Sequence, residues 1–221
     1  MVSIPSVDPV SLLLVVLGLA VLPFAAMVVT SYAKIAVVLG LLRNAMGVQQ
    51  VPPNMVLNGI ALIVSCYIMA PILMDASRAL TVGNAPQGTE SNAQQVLAAA
   101  DAAREPFRRF LAKHAHEREK RFFLKSAELI WPPEHAKQLK EDDLLVLAPA
   151  FLLTEMAAAF RIGFLLYLAF IVVDIVIANV LLAMGLSQVT PTNIAIPFKL
   201  LLFVVLDGWS RLIHGLVLTY K

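Results

Sequence analysis

Apolar residues come in long uninterrupted runs along this chain, with one polar interval between them. Positions 9–33 hold 25 residues without a charge, and 44–74 hold none either. About 20 apolar residues at a rise of ~1.5 Å cross a bilayer core. Residues 10–30 are therefore expected to form a first span kinked at Pro23, and 55–74 a second, with Pro71 near its end. Between them, Lys34 and Arg43 are the only charges. The apolar pattern breaks at Arg43-Asn44, Gly47, Gln49, Gln50, Pro52 and Pro53 read as a loop, and Pro52-Pro53-Asn54 as a turn leading into the next helix.

A third run opens after Lys140-Glu-Asp-Asp143, where acids sit at the positive end of a helix dipole. From Leu144 no strong stop appears before Gly185. An unbroken helix there would be ~60 Å long, about twice a hydrocarbon core. Part of it should lie outside the bilayer, with Pro149 or Gly163 as possible breaks. A short turn, 185–191, then leads into a fourth apolar run, 192–218. The last two runs make a hairpin with Asp174 on one arm and Lys199 and Asp207 on the other.

The polar interval is 76–161. Residues 76–93, with Gly83, Asn84, Pro86 and Gly88, are expected as a flexible linker. Residues 94–130 are expected to be helical, because Phe107, Phe110, Leu111 and His114 follow i, i+3, i+4, i+7 spacing. Glu105-Pro106 suggests a break within them, and Trp131-Pro-Pro133 ends the run.

Composition agrees with the pattern. The chain is 59% hydrophobic and 14% charged, against about 45–50% and about 25% in soluble domains; its mean hydropathy is +0.80. This is a membrane protein. Residues 76–161 hold 12 of the 17 Lys and Arg and 11 of the 15 Asp and Glu. Three regions follow: an apolar hairpin over 1–75, a charged and mainly helical insertion over 76–161, and a second apolar hairpin over 162–221. The net charge of +2 and the lack of a basic run exclude nucleic acid as a partner. The single Cys66 makes neither an intrachain disulfide nor a metal cluster. The opening MVSIPSVDP has no basic region, so no cleavable signal peptide is expected.

The chemistry lies in polar groups on apolar segments. Charges in hydrocarbon are expensive unless paired, so Glu155, Arg161, Asp174, Lys199 and Asp207 are expected to form intrachain or subunit-to-subunit ion pairs. Solvation at the soluble end is the alternative for Glu155 and Arg161. Asn58 either seeks an interhelical partner or sits at headgroup level, and Gly59 permits close backbone approach. His114 and His116 fall on different helix faces, which argues against a metal site. Asp174 and Asp207 could form an intramembrane aspartyl dyad, but their flanks do not provide a Gly-x-Gly-Asp setting, and no enzyme activity or cofactor is expected. A small-solute or ion transporter is the alternative, although no internal repeat is evident. With four spans, both termini and the insertion share one side. The positive-inside rule puts the Lys34/Arg43 loop in the cytoplasm and the insertion outside.

Three segments together are specific: SYAKIAVVLGLLRNAMGVQQVPPNMVLNGIAL (31–62), PAFLLTEMAAAFRIGF (149–164) and IPFKLLLFVVLDGW (196–209). In sequence and spacing the chain resembles the SctR/FliP family of type III secretion export-apparatus proteins (YscR and HrcR among them), over nearly its whole length except roughly 76–105. The resemblance implies an all-α subunit of membrane-associated helical hairpins with a helical periplasmic insertion, assembling into a ring or cone. It implies a homopentamer in the bacterial inner membrane that joins SctT-, SctS-, SctU- and SctV-type subunits, inner-rod and needle proteins and membrane lipid, and passes unfolded secreted proteins. Phe107, Phe110 and Leu111, with Asn58 and Gly59, are the expected packing residues. Flagellar members carry a Gly-Met-Met-Met loop before the Pro-Phe-Lys-Leu helix, thought to seal the pore. Here that place reads Met184-Gly185-Leu186-Ser187-Gln188. Met184, Leu186, Ser187 and Gln188 are the pore-constriction candidates, within a pore loop over 184–191. Only Met184 keeps the methionine character. That departure and the missing signal peptide favour the injectisome branch.

Overall fold

The computed structural model describes residues 26–48, 51–83, 92–186 and 188–221, with residues 13, 16, 17, 20, 23 and 24; for 80–83 and 92–100 only the backbone is described. Every element among them is helical: α1 (Tyr32–Met46), α2 (Asn54–Gly83), α3 (Asn92–His114), α4 (Glu117–Ile130), α5 (Pro133–Ala136), α6 (Leu144–Ala183), α7 (Pro191–Val205) and α8 (Gly208–Leu218). Most of the first expected span, the N-terminal segment MVSIPSVDP, and Gln49, Gln50 and Ser187 fall outside the described residues.

Helix α1 is the hub. Its Ile35, Val38 and Leu39 are fully buried against Leu57 and Ala61 of α2, Ala159 of α6 and Leu216 of α8. Farther along, Leu42, Ala45 and Met46 pack with Phe170 of α6 and Phe203 of α7. A third cluster joins Met69 of α2, Phe110 and Leu111 of α3, and Leu147, Ala150 and Phe151 of α6. Because of this cluster, the charged insertion and the start of α6 share one core with the membrane-type helices.

Several sequence expectations change. Helix α2 continues into the expected linker as far as Gly83, and residues 84–91 of that linker lie outside the described residues. Asn92–His114 runs through Pro106 without a break, and the chain turns at Ala115-His116 instead. The missing proline N–H costs one hydrogen bond, roughly 3 kcal/mol with the ring clash. Buried Pro106 recovers part of this by packing, while Arg108 bridges back to Glu105 at 2.7 Å. Helix α6 is a single 40-residue helix through both Pro149 and Gly163. Pro149, the sixth residue of α6, forgoes one bond, to the Leu145 carbonyl, without ending the helix. Gly163 is a contact point: a Cβ there would lie 2.2 Å from Leu41 Cδ1.

Two described helices, within 54–79 and 144–183, are long and apolar enough to cross a membrane. A third span exists if α7 and α8, bent by 63° at their junction, count as one. The bend has a local cause. Asp207 adopts the left-handed region (φ 52°), and Gly208 lets the Phe203 ring lie where a Cβ would sit, 2.3 Å away. Phe203 then meets Trp209 edge-on, with ring centroids 5.5 Å apart.

Candidate functional site

Two buried polar clusters tie α1 to the C-terminal half of the chain. In the first, Lys34 of α1 reaches Glu155 of α6, with Nζ 3.2 Å from both Oε1 and Oε2. Both side chains are almost wholly buried, 4% and 5% exposed. The Tyr220 hydroxyl donates to Glu155 Oε2. The Tyr220 ring lies under the ammonium, with Lys34 Nζ 3.8 Å from its centroid. One carboxylate thus accepts from an ammonium and a phenol, and a cation–π contact adds to the pair. The two charges desolvate together and leave no lone charge behind, as an apolar core requires.

His114, at the end of α3, completes the edge of this cluster. Its ring lies 4.8 Å from Phe110 and 5.2 Å from Tyr220. Burial, reinforced by Lys113 and Lys34, holds its pKa below the usual histidine value, so the imidazole is neutral.

The second cluster sits between α1, α6 and α7. Lys199 Nζ donates to Asp174 Oδ2 at 2.7 Å and to the Ala45 carbonyl at 3.1 Å. Ala45 belongs to the last turn of α1, whose carbonyls have no intrahelical donors, and the negative end of the dipole favours a cation there. Lys199 therefore caps one helix while pairing with a second. Asp174 Oδ1 is buried without a hydrogen-bond partner among the described residues, although the side chain as a whole is 40% exposed. That oxygen can still accept one donor.

The remaining charges behave differently. Arg161 and Asp207 are exposed, with no ion-pair partner among the described residues. Asn58 is exposed on α2, and a Cβ at Gly59 would meet nothing within 4 Å among the described residues. The close approaches fall at Gly163 and Gly208. Phe110 is 8% exposed and Leu111 0%, so most of their surface packs within the chain's own core, and the remainder of Phe110 lines a cleft beside α2. Phe107 is half-buried against the same cluster. On α4 of the insertion, Phe122, Leu129 and Ile130 are exposed.

The turn after α6 is a Schellman motif. Leu186 N–H donates to the Leu181 carbonyl at 2.9 Å and Gly185 N–H to Leu182 at 3.0 Å, with Gly185 left-handed (φ 74°). It leaves Met184, Leu186 and Gln188 exposed at the tip of the hairpin. No group of three or more potential metal ligands occurs among the described residues. Lys34 and Tyr220 were missed as site residues. The signal for Lys34 was present, since a lone lysine in an apolar run needs a partner; Tyr220 gave none.

This architecture defines a class: an all-helical membrane protein in which two ion pairs, Lys34–Glu155 and Lys199–Asp174, join apolar helices while broad apolar faces stay open. The chain belongs to the FliP family, whose family model matches residues 13–216. It is 68% identical over 217 residues to the Hypersensitivity response secretion protein HrcR of Ralstonia nicotianae, covering 98% of this chain and 99% of that protein. It is 68% identical over 210 residues to the Pathogenicity-related ORF2 of Xanthomonas campestris pv. glycines, with 95% and 96% covered. To the Yop proteins translocation protein R of Yersinia pestis it is 46% identical over 220 residues, with 100% and 99% covered. These relatives place the chain with the injectisome-type SctR proteins of type III secretion.

Proposed function

We propose that this chain is a non-catalytic core subunit of the type III secretion export gate. Several copies, five by the family resemblance, assemble with SctT- and SctS-type subunits in the bacterial inner membrane. SctU- and SctV-type subunits and the inner-rod and needle proteins adjoin that assembly. The insertion lies on the periplasmic side, and unfolded secreted proteins pass along the axis. Met184, Leu186, Ser187 and Gln188 line the narrowest part of that path, where Met184 and Leu186 close it by excluding water.

One observation carries this reading: Glu155 and Asp174 of α6 and Lys199 of α7 are paired inside the chain while the outer faces of both helices stay apolar. Phe164, Leu165, Val172, Val176, Leu201 and Val205 are all exposed, and contiguous apolar faces of this kind mark lipid or protein contact. Asp174 Oδ1, buried and without a donor among the described residues, favours protein neighbours over lipid alone.

Native mass spectrometry tests the assembly, on the detergent-extracted protein alone and co-expressed with its SctS- and SctT-type partners. A ring of several copies that takes up those partners is the expected result. A stable monomer that ignores them overturns the reading. Membrane permeability tests the constriction: small residues at Met184 and Leu186 should leak ions, and unchanged permeability removes that assignment.

A further inference from the structure

Resting on the subunit reading above, we propose that neighbouring copies join head to tail through the insertion. The end of α4 in one copy docks into the cleft between α2 and α3 of the next.

The cleft has a volume of about 330 Å³, far more than the ~30 Å³ one water needs. Pro71 and Ile72 of α2 and Pro106 and Phe110 of α3 form its apolar walls. Arg109 and Lys113 stand at its edge and are exposed. Lys113 has no ion-pair partner among the described residues, and Arg109 only a long one to Glu105, at 3.7 Å. The one acid of the cleft, Asp75, is taken by Arg78 at 3.5 Å. An apolar slot edged by two available cations fits an apolar knob flanked by acids.

The chain itself carries such a knob. Leu129 is 87% exposed and Ile130 77%, at the C-terminal end of an amphipathic helix where solvent exposure is costly for both. Glu128 and Glu134 flank them, exposed and without ion-pair partners among the described residues. The knob does not fill the cleft of its own chain, since Leu129 and Ile130 are absent from the cleft lining and exposed. Helix α4 begins three residues after the end of α3 and carries Ile130 ~20 Å away along its own axis. A surface whose complement lies elsewhere on the same molecule gives a heterologous contact, which closes into a ring when the rotation permits.

The test uses the full chain with Cys66→Ser, co-expressed with its partners. Adding Ile130→Cys and Lys113→Cys together should give a ladder of disulfide-linked multimers on non-reducing gels. An intrachain bond is excluded, because disulfides need Cα atoms within about 7 Å. In a second series, Lys113→Glu and Glu134→Lys should each lower the multimer fraction, by about tenfold for like charges facing each other. The double reversal should restore it. If the ring forms normally in native mass spectra but the ladder is absent and the single reversals have no effect, this interface is wrong and the subunit reading stands. If the unsubstituted chain stays monomeric, both fail.

Discussion

Lys199 joins three helices with one ammonium. It pairs with Asp174 of α6 at 2.7 Å and caps the carbonyl of Ala45 on α1 at 3.1 Å, from its own place on α7. The side chain is 4% exposed, so its removal leaves both an anion and a helix end unsatisfied in apolar surroundings.

Lys199→Met should therefore be among the most damaging single changes. Breaking a buried pair costs about 3–5 kcal/mol, and the partial exposure of Asp174 reduces this to about 2–3. Thermal unfolding in detergent should show a clear loss. Asp174→Asn should cost less, because the amide oxygen still accepts from Lys199. An equal loss for the two variants would show that the cap on Ala45 contributes little.

Removing either partner of Glu155 separates its two donors. Lys34→Met leaves a carboxylate that is 5% exposed with only the Tyr220 hydroxyl, at a cost of about 3–5 kcal/mol. Tyr220→Phe keeps the ring under Lys34 and loses one hydrogen bond to a charged group, about 1.5–3 kcal/mol. Expression level and melting temperature should rank wild type above Tyr220→Phe, and Tyr220→Phe above Lys34→Met.

Gly163 is a packing position. The Cβ of Gly163→Ala would meet Leu41 Cβ at 3.0 Å as well as Cδ1, so α1 and α6 must separate, at a cost of about 1–3 kcal/mol. Trimming the obstacle with Leu41→Ala in the same chain should recover part of the loss. Additive losses in the double variant would refute the clash.

Asp207 and Gly208 answer different questions. Asparagine tolerates the left-handed region well, so Asp207→Asn should leave the isolated chain's stability unchanged within about 0.5 kcal/mol. A failure of assembly or secretion by that variant, with stability intact, would locate the partner of Asp207 on another subunit. Gly208→Ala should destabilise the chain itself, because the Phe203 ring occupies the space a Cβ needs.

His114 gives the protein a pH dependence of known sign. Its pKa is lowered in the folded chain, so the unfolded chain binds the proton more tightly. The stability this contributes is present above the unfolded value of about 6.5 and is lost as pH falls through the folded one. Melting temperature should drop as pH falls below the unfolded value of about 6.5. His114→Phe, which keeps an aromatic ring against Phe110 and Tyr220, should flatten that part of the profile.

Much was legible in the sequence because hydrocarbon imposes simple one-dimensional rules. An uncharged run of bilayer length gave α2, the lack of a stop between Leu144 and Gly185 gave α6, acids before Leu144 gave its start, and charges stranded in apolar runs marked Glu155, Asp174 and Lys199 as groups in need of partners. The chain by itself determined that pairing was needed and which residues required it. Only the tertiary structure decided who meets whom. Lys34 finds Glu155 across 121 positions and Lys199 finds Ala45 across 154, separations no periodicity records. The same holds where local signals misled. Pro106 read as a break and Gly163 as a possible one, yet a helix end depends on whether packing offsets a lost hydrogen bond, and those neighbours come from α1, α2 and α6 once folded. Phe110 and Leu111 read correctly as an apolar stripe, but which surface covers such a stripe, the chain's own or a neighbour's, is settled in three dimensions.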